Sequence, residues 1–162
     1  MLESINILSS GQGIRHIGIY VSDLLLMKHF YMNVFNMHLI CDDVIDQGEF
    51  FDKLYGKENT EVHITKLITH QGKKNGTGDM IELLSICNND ATLQSFAGRL
   101  TDIGRMHIAF EVGDIYFTTD KIIKEGGKIL IFPFVRENGN QLAFCCDPEG
   151  NYLELIQRKN MC

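Results

Sequence analysis

A chain of 162 residues suits one compact domain, or two small modules sharing a core. Its hydrophobic fraction of 44% is ordinary for a globular protein, and no run approaches the roughly 18 apolar residues of a membrane span. The net charge of −6 argues against a nucleic-acid partner, whose phosphates call for a basic footprint. Five cysteines, odd in number and without metal-ligand spacing, read as free thiols rather than a disulfide framework. Met1–Ser10 has neither a basic start nor a long apolar stretch, so the expected location is cytoplasmic.

Ile14–Val21 alternates apolar and other residues and reads as a first strand. Asp23 is placed to cap a helix carrying Leu24, Met27, Tyr31 and Val34 at helical spacing, ending near Phe35. Met37–Cys41 reads as a second strand. The acidic segment Asp42–Glu61, interrupted by Gly48 and Gly56, reads as a loop or lid whose E-F-F-D-K-L-Y centre can form one or two helical turns. Val62–Thr69 is a third strand, Gln71–Gly78 a turn and Asp79–Ile86 a fourth strand, followed by a polar, partly helical connector to Gly104. The order then repeats. Met106–Val112 is a strand, Asp114 caps a helix to about Glu125, and Gly126–Gly127 stops it. Lys128–Phe132 is a strand ended by Pro133. Arg136–Asn140 is a turn, Gln141–Cys146 a strand, Asp147–Asn151 (D-P-E-G-N) a tight turn, and Tyr152–Arg158 the last strand. Cys145 and Cys146 point to opposite faces of their strand and do not pair.

The repetition is visible in the residues themselves. I-R-H-I-G-I-Y-V-S-D-L (14–24) aligns with R-M-H-I-A-F-E-V-G-D-I (105–115), matching His16 to His107 and Asp23 to Asp114 at an offset of 91. M-I-E-L-L-S-I (80–86) aligns with Y-L-E-L-I-Q-R (152–158), matching Glu82 to Glu154 at an offset of 72. The 19 extra residues of the first half fall mainly in the Asp42–Glu61 loop and the Gln71–Gly78 turn, as insertions should. Period 2 directs His16 and His107 away from the packed layer. A carboxylate inside a strand as apolar as M-I-E-L-L needs a partner, because an unpaired buried charge is costly. A lone histidine on a strand is more often structural than a ligand; four ligand-type residues at corresponding places in a duplicated unit are not readily assigned to chance. If the first and last strands of each half are neighbours, and two such sheets face each other, His16, Glu82, His107 and Glu154 converge. That set suits a divalent metal such as Zn, Ni, Co, Fe, Mn or Mg, with positions left open for a small-molecule substrate.

H-I-G-I-Y-V-S-D, F-Y-M-N-V-F-N-M, M-I-E-L-L, M-H-I-A-F-E-V-G-D and D-P-E-G-N-Y-L-E-L-I together resemble the recurrent segments of the vicinal oxygen chelate superfamily. That group includes glyoxalase I, methylmalonyl-CoA epimerase, extradiol dioxygenases and fosfomycin- and bleomycin-resistance proteins. The resemblance runs from Ile14 to Arg158. It implies an α+β fold in which two βαβββ modules, about 14–87 and 105–158 and joined by connector 88–104, form a cupped mixed sheet within a single domain over 1–162. It also implies metal ligands at His16, Glu82, His107 and Glu154, and a homodimer. Filling all four places resembles the glyoxalase and epimerase branch, in which the metal binds neighbouring substrate oxygens, an enediolate forms and a carboxylate moves a proton beside the carbonyl. Glu154 is the expected base, on a strand fixed by the D-P-E-G-N turn, with Glu82 the second choice.

The resemblance to glyoxalase I stops at two places. That enzyme carries an Arg four residues after its first ligand, where this chain has Tyr20, and an Asn four residues after its first Glu ligand, where this chain has Ile86. Neither replacement supplies the lost fork or amide, so the expected substrate is not a glutathione adduct. Tyr20 and Arg136 are the candidate substrate-binding residues. His63 and His70 lie on or beside a strand and are candidates to line the cup. Phe50, Phe51 and Tyr55 are expected to pack a lid. The rival functions are a metal-free binding or antibiotic-resistance protein and an Fe(II)-dependent ring-cleaving dioxygenase.

Overall fold

The computed structural model describes residues 13–76, 78–86 and 100–159. Two four-stranded mixed sheets make up the molecule, and each follows the same plan. In the first, β1 (Ile17–Tyr20), β2 (His38–Gln47), β3 (Glu61–Ile68) and β4 (Met80–Ile86) lie in the order β1-β4-β3-β2. In the second, β5 (His107–Glu111), β6 (Lys128–Val135), β7 (Gln141–Cys146) and β8 (Tyr152–Gln157) lie in the order β5-β8-β7-β6. The first and last strands of each unit run parallel, and the other pairs are antiparallel. The expected two-module α+β architecture is the observed one.

One helix follows the first strand of each module, and both start where the sequence says. Asp23 Oδ1 accepts from Leu26 N at the head of α1 (Leu24–Phe35), and Asp114 Oδ1 accepts from Phe117 N at the head of α4 (Ile115–Lys124). Met27, Phe30, Tyr31 and Val34 recur at i, i+3, i+4 and i+7, and all four are buried. They join Ile19, Val21, Leu67, Ile81 and Leu83 of the first sheet to Ile115, Ile122, Ala143, Cys145, Leu153 and Leu155 of the second module in one core. Phe35 of α1 stacks on Phe110 of β5 at 3.8 Å between centroids. The modules are therefore fused through their helix-bearing sides.

Polar contacts fasten the same seam. The D-P-E-G-N turn of the second module reaches the start of α1: Glu149 accepts from Ser22 N, Asp23 N and the Ser22 hydroxyl at 2.8–3.0 Å. A carboxylate there also meets the positive end of the α1 dipole. Beside it, Tyr31 donates to buried Asp147 at 2.9 Å. Burial raises the Asp147 pKa against the pull of its hydrogen bonds from Asn151, Tyr31 and Glu149 N, and burial with Asp147 beside it raises the Tyr31 phenol well above 10.

Three elements differ from the sequence expectation. β2 continues through Gln47 into the segment read as loop, because it pairs with β3 across register shifts between Leu39 and Val44 that absorb its irregular pattern. Only Glu49–Tyr55 of that segment is helical (α2), on the E-F-F-D-K-L-Y centre. The Gln71–Gly78 turn is instead α3 (His70–Asn75), capped by Thr69 Oγ1 accepting from Gly72 N. Pro133 does not end β6, which runs to Val135. Its lost N–H falls where the register slips between Ile131 and Phe134, on an edge strand where proline is tolerated. Cys145 and Cys146 are free thiols, as expected. Residues 88–99 of the connector lie outside the described residues. Among those described, no helix is long and apolar enough to cross a membrane.

Candidate functional site

The parallel pairing puts each histidine beside its glutamate. In β1–β4, Gly18 stands opposite Glu82, and in β5–β8 Ala109 stands opposite Glu154, so the two modules share one register. His16 and His107 each lie two residues earlier on the same face. His16 Nε2 is 3.0 Å from Glu82 Oε2, and His107 Nε2 is 3.3 Å from Glu154 Oε2. The glutamates are mostly covered and the histidines are 37% and 45% exposed in their side chains, so both pairs can be reached from outside. Gly18 leaves a notch in this surface; a Cβ there would stand 3.2 Å from Leu84 Cδ1.

Two donors each about 2.1 Å from one metal ion at a right angle are about 3.0 Å apart. The His16–Glu82 pair has that spacing and the His107–Glu154 pair is 0.3 Å wider, and imidazole nitrogen with carboxylate oxygen is a donor set that divalent ions accept. Each module thus fits half of a metal site.

The halves do not meet within the chain. Among the described residues no three His, Cys, Asp or Glu side chains are grouped to hold an ion. The expectation that His16, Glu82, His107 and Glu154 converge is therefore not met within one chain. The shared core occupies the helix side of both sheets, so the faces carrying the pairs lie on the sides away from it. A cleft of about 960 Å³ between β1–β4 and β5 is lined by Ile17, Phe35, Met80 and Phe110, among others, and contains none of the four residues.

Around the first pair the sequence reading missed a cation. Lys66 of β3 stands opposite Glu82 in register, and its Nζ is 2.8 Å from Glu82 Oε1. That hydrogen bond raises the Lys66 pKa above 10.5, against the lowering effect of burial. The signal was present: period 2 places Lys66 on the face of Val62 and Ile64, where a charge is out of pattern. Phe144 occupies the corresponding place opposite Glu154, its ring 5.3 Å from His107.

Tyr20 hydrogen-bonds Tyr55 of α2, hydroxyl to hydroxyl at 2.7 Å, and burial together with that bond pushes the Tyr55 phenol to about 12. Phe51 and Tyr55 pack on the cluster of Val62, Ile64 and Leu84, so α2 covers part of the outer face of the first sheet. Phe50 does not join them and is 71% exposed. In the second module the residue matching Tyr20 is Glu111, paired with Arg158 at 3.0 Å. Arg136 sits in the β6–β7 hairpin, exposed, and pairs with neither carboxylate of the site. His63 does not line the face bearing the site; it points to the opposite side of β3 and pairs through Nδ1 with Asp43. His70 lies at the start of α3, its ring 5.9 Å from that of His38, and lines the cleft between the modules.

Two fused βαβββ modules, each offering a histidine from its first strand and a glutamate from its last, define the class. The chain belongs to the Glyoxalase/Bleomycin resistance protein/Dioxygenase superfamily, whose family profile matches residues 13–155. It is 33% identical over 145 residues to a protein of Synechocystis sp. named "Probable lactoylglutathione lyase", covering 88% of this chain and 92% of that one. Its fold is similar to that of a glyoxalase family protein from Bacillus cereus, with TM-score 0.79, 19% identity and coverage of 94% and 99% of the two chains. A glyoxalase I variant from Zea mays matches at TM-score 0.60 and 22% identity over 91% of this chain, which spans 45% of the maize one.

Proposed function

We propose that the protein is a divalent-metal-dependent lyase or isomerase that moves a proton beside a carbonyl, of the glyoxalase I or epimerase kind. The observation that carries this reading is the duplicated His–Glu pair, with Nε2 and Oε2 at 3.0 and 3.3 Å. His16, Glu82, His107 and Glu154 would hold the ion, which when bound polarises two neighbouring substrate oxygens and offsets the negative charge left by the departing proton. Glu154 is the proton carrier. Its carboxylate sits among Phe144, Tyr152 and His107 with no lysine or arginine paired to it among the described residues, whereas Glu82 is engaged on both oxygens.

A second copy of the chain completes the site. Four ligands split into outward-facing twos are brought together when the first-module pair of one protomer faces the second-module pair of its partner, which a two-fold axis does twice per dimer. The edge strands supply apolar surface for this contact: Leu39, Ile40, Val44 and Ile45 on β2, and Leu130, Ile131, Phe132 and Phe134 on β6, are each at least 41% exposed.

The relative from Synechocystis sp. is named for a glutathione adduct. We propose a different substrate here, because Tyr20 is engaged with Tyr55 and Ile86 packs with Val62 and Leu84, leaving neither guanidinium nor amide at those places. The test is exchange of the substrate proton with deuterated solvent by metal-loaded protein, across 2-oxoaldehyde–thiol adducts and 2-substituted thioesters. Metal-dependent exchange with at least one class is expected. Stoichiometric metal without exchange on any of them would count against the assignment, and protein that takes up no divalent metal would end it.

A further inference from the structure

The duplication relates the two carboxylates, but they are not held alike. Glu82 Oε2 lies against His16 Nε2, and Glu82 Oε1 is occupied by Lys66 Nζ at 2.8 Å. Glu154 Oε2 lies against His107 Nε2, and the residue opposite it on the neighbouring strand is Phe144. Lys66 rises from the middle of β3 with its side chain 35% exposed and rests between a strand partner and the site, not out in solvent.

Resting on the metal-centre reading above, we propose that Lys66 is a positioning residue that restricts Glu82 to one-oxygen coordination, and so keeps a coordination position free for substrate. A carboxylate can offer a divalent ion one oxygen or both. Two histidines and two glutamates donating singly fill four positions, and an octahedral ion keeps two for a pair of neighbouring substrate oxygens. If Glu82 turned both oxygens inward it would take a fifth position and leave one. The ammonium on Oε1 prevents that turn. Lys66 is not there to strengthen metal binding, since a cation beside a divalent ion repels it. Removing the charge therefore leaves metal affinity equal or higher, while two-oxygen ligands lose their second position.

The test uses the full chain loaded with Mn(II), in wild-type, Lys66→Arg and Lys66→Met forms. The number of exchangeable waters on the ion is counted from the broadening of its electron paramagnetic resonance in ¹⁷O-enriched water. Acetohydroxamate, which chelates through two neighbouring oxygens, is titrated alongside. Lys66→Met is expected to keep Mn(II) at least as tightly, to lose a water, and to bind acetohydroxamate about tenfold or more weakly, the scale on which outer partners of metal ligands act. Lys66→Arg, which keeps a donor on Oε1, should stay close to wild type in both readings. An unchanged water count in Lys66→Met overturns the proposal; if acetohydroxamate weakens all the same, Lys66 is a charge contact to the ligand and not a positioning residue. Failure of the wild type to take up Mn(II), Zn(II), Ni(II) or Co(II) would instead remove the metal-centre reading itself, before any Lys66 variant is compared.

Discussion

The two modules share a register and a His–Glu pair but differ in what surrounds that pair. In the first, Glu82 is clamped between His16 and Lys66, and α2 covers the neighbouring face with Tyr55 bonded to Tyr20. In the second, Glu154 has His107 and the ring of Phe144 beside it, and among the described residues no inserted helix stands over the sheet. Duplication supplies two similar His–Glu pairs; divergence at Lys66/Phe144 and Tyr20/Glu111 makes them unequal. A proton-transfer centre needs such inequality, because one carboxylate has to move while the others stay.

The sharpest way to break this comparison is to remove each carboxylate in turn. Glu154→Gln should keep metal, since the amide oxygen still donates, and should lower solvent exchange of the substrate proton by about 10²-fold or more, measured by NMR. Glu82→Gln should lower exchange less and weaken metal binding more. Equal losses would mean the halves are equivalent. Next in size, His107→Ala and His16→Ala should each weaken divalent metal binding by about tenfold or more in chelator competition, because each would remove a proposed donor. Copying the first half into the second is a subtler change. Phe144→Lys sets a cation beside Glu154, and should cut the exchange rate about tenfold while the protein still folds, since Phe144 is only half-buried.

The smallest effect concerns the seam that holds the modules together. Tyr31→Phe removes the bond to Asp147 and should cost about 1–2 kcal/mol at neutral pH by chemical denaturation. The pH dependence has a definite sign. The folded protein keeps the Tyr31 phenol neutral above 10, where the unfolded chain releases its proton, so wild-type stability falls as pH rises past 10. Tyr31→Phe should show a shallower decline over the same range, and parallel curves would show that Tyr31 is not the group responsible.

Much of this was legible in the sequence because it depends on local pattern. Caps at Asp23 and Asp114, the β7 boundaries and the D-P-E-G-N turn follow from short-range chemistry, and the His–Glu neighbours follow from a repeat with fixed register. What was not legible depends on pairing between distant segments. β2 extends past Cys41 because β3 offers it partners, and Pro133 survives in β6 because an edge strand with a slipped register needs no donor there. Lys66 acquires meaning only when β3 is laid against β4. That the two pairs stay apart within one chain was also beyond reach, since alternation assigns each residue to a face but does not say which faces meet.

The central claim is that the site is assembled from unlike halves on two chains, and subunit mixing tests it most directly. One variant carries His16→Ala with Glu82→Ala, the other His107→Ala with Glu154→Ala, and neither alone should hold metal tightly. Unfolded together and refolded, they form mixed dimers in which one site has all four ligands and the other none, so tight metal binding and solvent exchange should return in the mixture. If the mixture stays as inactive and metal-poor as its components while wild type refolded in the same way recovers, the ligands do not come from two chains and the account is wrong.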